Sequence, residues 1–134
     1  MSEPEWVPVR KVMRTQVAFV DGRIDILEAL KVMKREKVTS LIVKKRREND
    51  EYGMLLFSDI AKQVIARNRA PERVNVYEIM AKPVISVRPD MDIRYCARLF
   101  GNFGISHAPV IENNEVIGVV SYYLLVLEGL PDLD

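Results

Sequence analysis

The chain is poor in the residues that perform chemistry. Its 134 residues include one histidine, one cysteine and one tryptophan. A single cysteine excludes an internal disulfide. Cys96 lies on an apolar helical stripe (Ile93, Cys96, Ala97, Phe100), where a buried, inert thiol is expected rather than a reactive one. One histidine, His107, would have to serve every proton-transfer scheme, and without cysteine or histidine companions it makes no metal site. HExxH, CxxC, a glycine-rich phosphate loop and a Ser/His/Asp set in motif context are all absent. The chain therefore reads as no enzyme, with no metal and no obligatory cofactor. Charge of one sign is lacking too: 20 Lys+Arg against 19 Asp+Glu leave +1, with no field to recruit nucleic acid or acidic membranes. The longest apolar run, Tyr122 to Leu127, is far below the roughly 20 residues that cross a bilayer. The opening MSEPEWVPVR has no apolar signal-peptide core. A cytoplasmic protein without membrane insertion is expected.

What the chain has is a repeat. Hydrophobic residues at 49% and charged residues at 29% give ordinary globular composition. Met13 to Val43 (MRTQVAFVDGRIDILEALKVMKREKVTSLIV) aligns without gaps to Met80 to Val110 (MAKPVISVRPDMDIRYCARLFGNFGISHAPV). Met13 meets Met80, Val17 meets Val84, Val20 meets Val87, Asp25-Ile26 meets Asp92-Ile93, and Val43 meets Val110. After a loop two residues longer in the first copy, Gly53-Met-Leu-Leu meets Gly118-Val-Val-Ser. Two copies are too few for a solenoid and suit a closed pair.

Each copy follows one grammar. In the first, Val17–Val20 predicts a strand closed by the turn Asp21-Gly22, and Ile24 to Val38 switches to helical period with Asp25 as its cap. Ser40–Val43 and Met54–Phe57 predict two more strands, and Ser58-Asp59 an N-cap pair opening a helix from Ile60 to about Arg67. In the second, Val84–Val87 predicts a strand, Arg88-Pro89-Asp90 a turn, and Asp92–Phe103 a helix. His107–Ile111 and Val116–Ser121 form a hairpin about Asn113-Asn114, and Tyr122–Leu127 a closing helix. Apolar residues before each copy (Val7, Val9, Val12; Val76, Ile79) suit a short helix or arm. The fold class is α/β (α+β): two β-α-β-β-α units packed as a pseudo-twofold pair. Residues 1–70 hold the first repeat with its arm and 71–134 the second.

In this order, and twice, the phrases Val12-Met13, Ile79-Met80, Ser86-Val87-Arg88-Pro89-Asp90-Met91, Ile105-Ser106-His107-Ala108-Pro109-Val110-Ile111-Glu112 and Gly53-Met-Leu-Leu-Phe-Ser-Asp59 resemble a tandem pair of cystathionine-β-synthase (CBS) domains, a Bateman module. The resemblance implies a stand-alone regulatory module, often a homodimer. Such a module binds AMP, ADP, ATP or S-adenosylmethionine in clefts between repeats and reports to a separate effector protein. The family's ligand motif runs Gly, apolar residues, Ser or Thr, two variable residues, Asp. Its logic is physical: a helix N-terminus favours phosphate, and a carboxylate accepts hydrogen bonds from both ribose hydroxyls.

The copies keep complementary pieces of that motif. The first has Ser58 and Asp59 but Leu56 in place of Ser/Thr; the second keeps Ser121 but has Leu124 in place of Asp. The Asp59 site is the stronger of the two, and the family's geometry would line it with Thr39, Ser40, Lys82, Pro83, Ser106 and His107. Ser40 carries no charge, so Lys82 compensates only partly, and a ligand with few phosphates is expected. Asp59 read without a ligand is a plain helix cap, and His107 a hydrogen-bonded strand residue.

The tract Lys44-Lys45-Arg46-Arg47 is followed by Glu48-Asn49-Asp50-Glu51, which neutralises it, and reads as a solvated loop. Tyr122–Leu127, apolar nearly all round, must be buried under its own sheet or against a second subunit. Leu99, Phe100 and Phe103, with Leu30 and Met33, offer further dimer faces. The alternative function is a dimerisation or docking scaffold with degenerate nucleotide sites.

Overall fold

An aspartate opens each of the two long helices, and a left-handed residue closes each. Asp25 accepts the Glu28 N–H at 2.9 Å and Asp92 the Arg94 N–H at 2.8 Å, each satisfying a donor that the first helical turn leaves open. Lys37 (φ 57°) and Gly104 (φ 65°) end the helices in the conformation that turns the chain out of the α basin. The helices are therefore α1 (Ile26–Glu36) and α4 (Ile93–Phe103), each trimmed slightly from the apolar periodicity because the caps stand outside them.

The computed structural model describes residues 6–130. A 3₁₀ turn (Val9–Lys11) leads to β1 (Phe19–Val20), α1, β2 (Ser40–Val43), β3 (Gly53–Leu56) and α2 (Phe57–Ile60), which continues as a π turn over Ala61–Ile65. A second 3₁₀ turn (Pro71–Arg73) and α3 (Val76–Ile79) lead to α4, β4 (His107–Glu112), β5 (Glu115–Ser121) and α5 (Tyr122–Leu127). This is the mixed α/β architecture expected, with three corrections. The stretch Val84–Val87 builds no strand: Val87 alone makes a parallel bridge, to Val110. The helix after β3 starts at Phe57, so Ser58 and Asp59 lie inside it rather than capping it. Ala97 is exposed, so the buried stripe of α4 narrows to Cys96 and Phe100, with Ile93 beside them.

The chain forms two compact units that do not coincide with the repeat as read along the sequence. Ala18–Val84 make one; the arm up to Val17 joins Ile85 onward in the other. Each repeat's leading segment is bonded into the body of the other repeat. In the first unit, Val74 accepts from Ile26, Val76 donates to Ile24, and Met54 and Ala81 exchange a pair of 2.9 Å bonds. In the second, at positions equivalent by the repeat, Val7 accepts from Ile93, Val9 donates to Met91, and Arg14 and Val119 exchange bonds of 2.9 and 3.0 Å.

Within the 18–84 unit, β1 runs parallel to β2, which pairs antiparallel with β3, Ser40 facing Leu56 and Val43 facing Gly53. Its core gathers Ile26, Met33, Leu41, Leu55 and Val76, all nearly sealed from solvent. In the other unit β4 and β5 form a hairpin whose turn, Asn113-Asn114, has φ of 53° and 65°, the pair of positive values that matches strand twist. Phe100, Val110 and Val120 centre its core, and the Tyr122 ring meets Phe100 edge-on at 5.2 Å. Cys96 belongs to this core, and burial pushes its thiol up to about 11, away from nucleophilic use.

The methionine and glycine that recur in both copies form one packing device. A Cβ on Gly53 would stand 2.8 Å from the Met80 sulfur and 3.3 Å from the Ala81 carbonyl oxygen. A Cβ on Gly118 would stand 2.7 Å from the Met13 sulfur and 2.9 Å from the Arg14 carbonyl oxygen. A side-chain tip yields and a bonded backbone oxygen does not. Gly118→Ala is therefore expected to lower the unfolding free energy by about 1–3 kcal/mol, and Gly53→Ala by less. Urea denaturation of the two variants checks both the loss and the order.

Candidate functional site

In the 18–84 unit, the sequence places Thr39 just before β2 and Ser58 and Asp59 just after β3. Antiparallel pairing of the two strands brings those ends together. Ser40 pairs with Leu56, and the Phe57 N–H donates to the Thr39 carbonyl at 3.3 Å. Leu56 is extended (φ −112°, ψ 156°), so the chain turns abruptly into α2, and Asp59 occupies the third position of its first turn. From there Asp59 Oδ2 reaches back to accept the Leu56 N–H at 2.9 Å, half of a capping box. Asp59 Oδ1 takes no hydrogen bond among the described residues. Thr39 and Ser58 are exposed, and Ser40 and Asp59 half-buried.

The α2 turn runs without a break into the π turn over Ala61–Ile65, so the two share one helical axis. Of the amides where the strand enters the helix, Leu56 N–H is taken by Asp59 and Phe57 N–H by Thr39.

Lys82 and Pro83 sit at the other end of β3. The Met54–Ala81 bridge is antiparallel, so residues after Ala81 run alongside Gly53 and away from Asp59. The Lys82 ammonium donates to Asp50 Oδ2 at 2.8 Å, with side-chain exposures of only 24% and 19%. Asp50 also accepts the Arg46 N–H at 2.8 Å. The Lys82 ammonium first, then the Arg46 and Glu51 backbone N–H groups, hold the Asp50 carboxyl well below the usual carboxylate range. Of the eight residues expected at the site, Lys82 is the permanent cation, and its charge is already matched. Asp50 was missed in the sequence, where it counted as the acidic half of a solvated loop. The signal available was the loop's extra length in the first copy.

In the other unit the equivalent positions carry different chemistry. His107 pairs with Ser121 across the hairpin, Tyr122 N–H donates to the Ser106 carbonyl at 3.1 Å, and Ser106 Oγ lies 2.8 Å from His107 Nδ1. Ser121 Oγ accepts the Leu124 N–H at 3.3 Å, and so serves as the helix cap that Asp59 approximates in the first unit. Leu124 packs on the core. His107 is thus a hydrogen-bonded strand residue. A shallow groove of about 500 Å³ elsewhere in this unit, lined by Trp6, Arg88, Asp90, Met91, Asp92 and Tyr95, contains none of the expected site residues. Among the described residues no group of three or more His, Cys, Asp or Glu is placed to hold a metal ion, and no helix is long and apolar enough to cross a membrane.

The two halves of this arrangement have a match among known proteins: residues 9–66 and 76–126 each fit the family profile described as CBS domain. The chain belongs to the CBS-domain family. This CBS pair is 30% identical over 113 residues to the CBS domain-containing protein YhcV of Bacillus subtilis (strain 168), covering 84% of this chain and 79% of that protein. It superposes with a TM-score of 0.90 and 35% identity on a hexameric CBS-CP12 protein from bloom-forming cyanobacteria, over 93% of this chain and 69% of that one. The fold also matches the CBS domain pair of protein MJ0100, solved in complex with 5′-methylthioadenosine and S-adenosyl-L-methionine. There the TM-score is 0.75 and the identity 24%, over 89% and 96% of the two chains.

The bond that Asp59 makes to Leu56 can be tested apart from its charge. Asp59→Ala removes the acceptor of the Leu56 N–H and is expected to cost about 1 kcal/mol of stability. Asp59→Asn keeps an acceptor oxygen and is expected to stay within about 0.5 kcal/mol of the parent in chemical denaturation.

Proposed function

We propose that this CBS pair is a non-catalytic regulatory module that binds an adenosyl ligand at Asp59 and passes the bound state to a separate effector protein. The observation carrying this reading is the Asp59 carboxylate, half-buried and held by its bond to Leu56 N–H, with its second oxygen taking no hydrogen bond among the described residues. Such a carboxylate is positioned before the ligand arrives, and charge-assisted bonds from ribose hydroxyls are the stronger kind. Thr39, Ser40 and Ser58 stand beside it. With Lys82 matched by Asp50 and Ser40 uncharged, the site favours ligands with few or no phosphates. The adenosyl compounds in the MJ0100 structure are of that class. Ligand binding regulates only by preferring one arrangement of the module over another.

Calorimetric titration with AMP, ATP, 5′-methylthioadenosine and S-adenosylmethionine tests the site. Binding of at least one is expected, with ATP weakest, and Asp59→Asn is expected to reduce affinity at least tenfold (about 1.4 kcal/mol) without loss of stability. Heat of binding that survives unchanged in Asp59→Asn removes the site from Asp59.

A specific observation favours self-association beside ligand binding. The α5 segment, expected to be buried, keeps Tyr122, Tyr123, Val126 and Leu127 at 41–65% exposure, with Leu125 sealed beneath them. Phe103 is exposed as well, whereas Phe100 and Met33 lie in the cores and leave any dimer face. An apolar patch of this kind on a soluble surface marks an interaction site. Sedimentation velocity is expected to show a concentration-dependent dimer that Tyr123→Asp with Val126→Asp dissociates. A monomer at every concentration removes the homodimer from the proposal.

A further inference from the structure

The two repeats differ at three places that lie apart along the sequence. The first copy has a longer β2–β3 loop, where the second turns on Asn113-Asn114 alone. It keeps Asp59 where the second has Leu124. And the position occupied by Thr15 in one leading segment is Lys82 in the other. In the folded chain all three belong to the same compact unit, and two of them touch: the extra loop carries Asp50, and Asp50 grips Lys82.

That contact acts on one particular piece of chain. Lys82 follows Ala81, whose N–H and carbonyl are both bonded to Met54 at 2.9 Å. The segment Ala81–Pro83 is thus held on one side by the strand and at Lys82 by the loop. Asp50 is itself fixed by the Arg46 N–H, and the Asp50 N–H donates to the Arg47 carbonyl at 3.1 Å, so the loop is folded around this carboxylate. Gly53, beside Lys82, and Leu56, before Asp59, are three strand steps apart, roughly 10 Å. A nucleoside is of comparable length. A ligand whose ribose meets Asp59 and whose base lies along β3 ends at Ala81–Pro83.

We propose that Asp50 and Lys82 are positioning residues for the base end of the ligand site: the ion pair holds Ala81–Pro83 in place against β3, and the longer loop exists to deliver Asp50. This rests on the reading of Asp59 as the ribose end. Neither charge touches the ligand; each acts through the backbone it fixes. A pair this shielded from solvent is screened less than a surface pair, so the restraint survives physiological salt.

The test measures affinity and backbone protection separately on the full chain. Asp50→Ala, Lys82→Ala and the double variant are titrated with AMP, 5′-methylthioadenosine and S-adenosylmethionine well below their unfolding temperatures, with Lys82→Met keeping the apolar stem. Each single change is expected to weaken binding about three- to tenfold, and the double no further than the worse single, as two members of one unit must. Amide hydrogen exchange without ligand is expected to show the Ala81 N–H opening faster in every variant. Unchanged affinity in the single variants, or losses that multiply in the double, overturn the positioning role while leaving the Asp59 site intact. Failure of the parent to bind any of the three probes overturns the Asp59 reading, and this proposal with it.

Discussion

Everything in this fold depends on a leading segment closing over a strand that comes from the other repeat. Met80 presses its sulfur against Gly53 while Ala81 zips to Met54; Met13 and Arg14 do the same to Gly118 and Val119. Without those contacts each sheet would present an unpaired edge, which is costly to leave open. The glycines are small because a methionine and a carbonyl oxygen already occupy the space where a side chain would begin. The same docking sets the start of the segment that the proposed ligand site uses. Fold closure and site geometry are thus one interaction seen from two sides.

Around this shared frame the units have diverged. One turns from strand to helix through Leu56, with Asp59 reaching back from inside the helix and leaving an oxygen to spare. The other makes the same turn through Ser121, whose hydroxyl caps the helix directly and leaves no carboxylate. The carboxylate takes the N–H of the residue before its helix, whereas the hydroxyl takes the N–H of the third residue of its own.

Much of this was legible in the sequence, and the remainder was hidden for definite reasons. The limits of β2 and α5 match the apolar runs Ser40–Val43 and Tyr122–Leu127, and Asp25 caps as its position before a helical period suggests. The strand over Val84–Val87 failed because β-branched residues state a preference, while a ladder needs a partner strand, and only Val87 finds one. Asp59 was read as part of a cap pair because Ser-Asp before an apolar run is that signal. The helix begins earlier, at a leucine, and the carboxylate works from the third position instead. The partner of Lys82 lies 32 residues away, in a loop whose charges balance locally, and only that loop's extra length pointed to it. Apolarity of α5 was plain; that its own unit covers only one side of it was not.

The exchanged leading segments also bear on how such a chain can arise and be rearranged. A single repeat cut from this sequence contains a body that lacks its closing segment and a segment with no body to close. Two separate copies would complete one another only by trading segments, as domain-swapped partners do. Joining them in one polypeptide turns an encounter between molecules into an event within one chain, at a far higher effective concentration. The heritable unit of this architecture is therefore the pair. The connector near residue 70 divides the repeat in sequence but is no place to divide the protein, and a fusion that transplanted one repeat would carry over half of each compact unit.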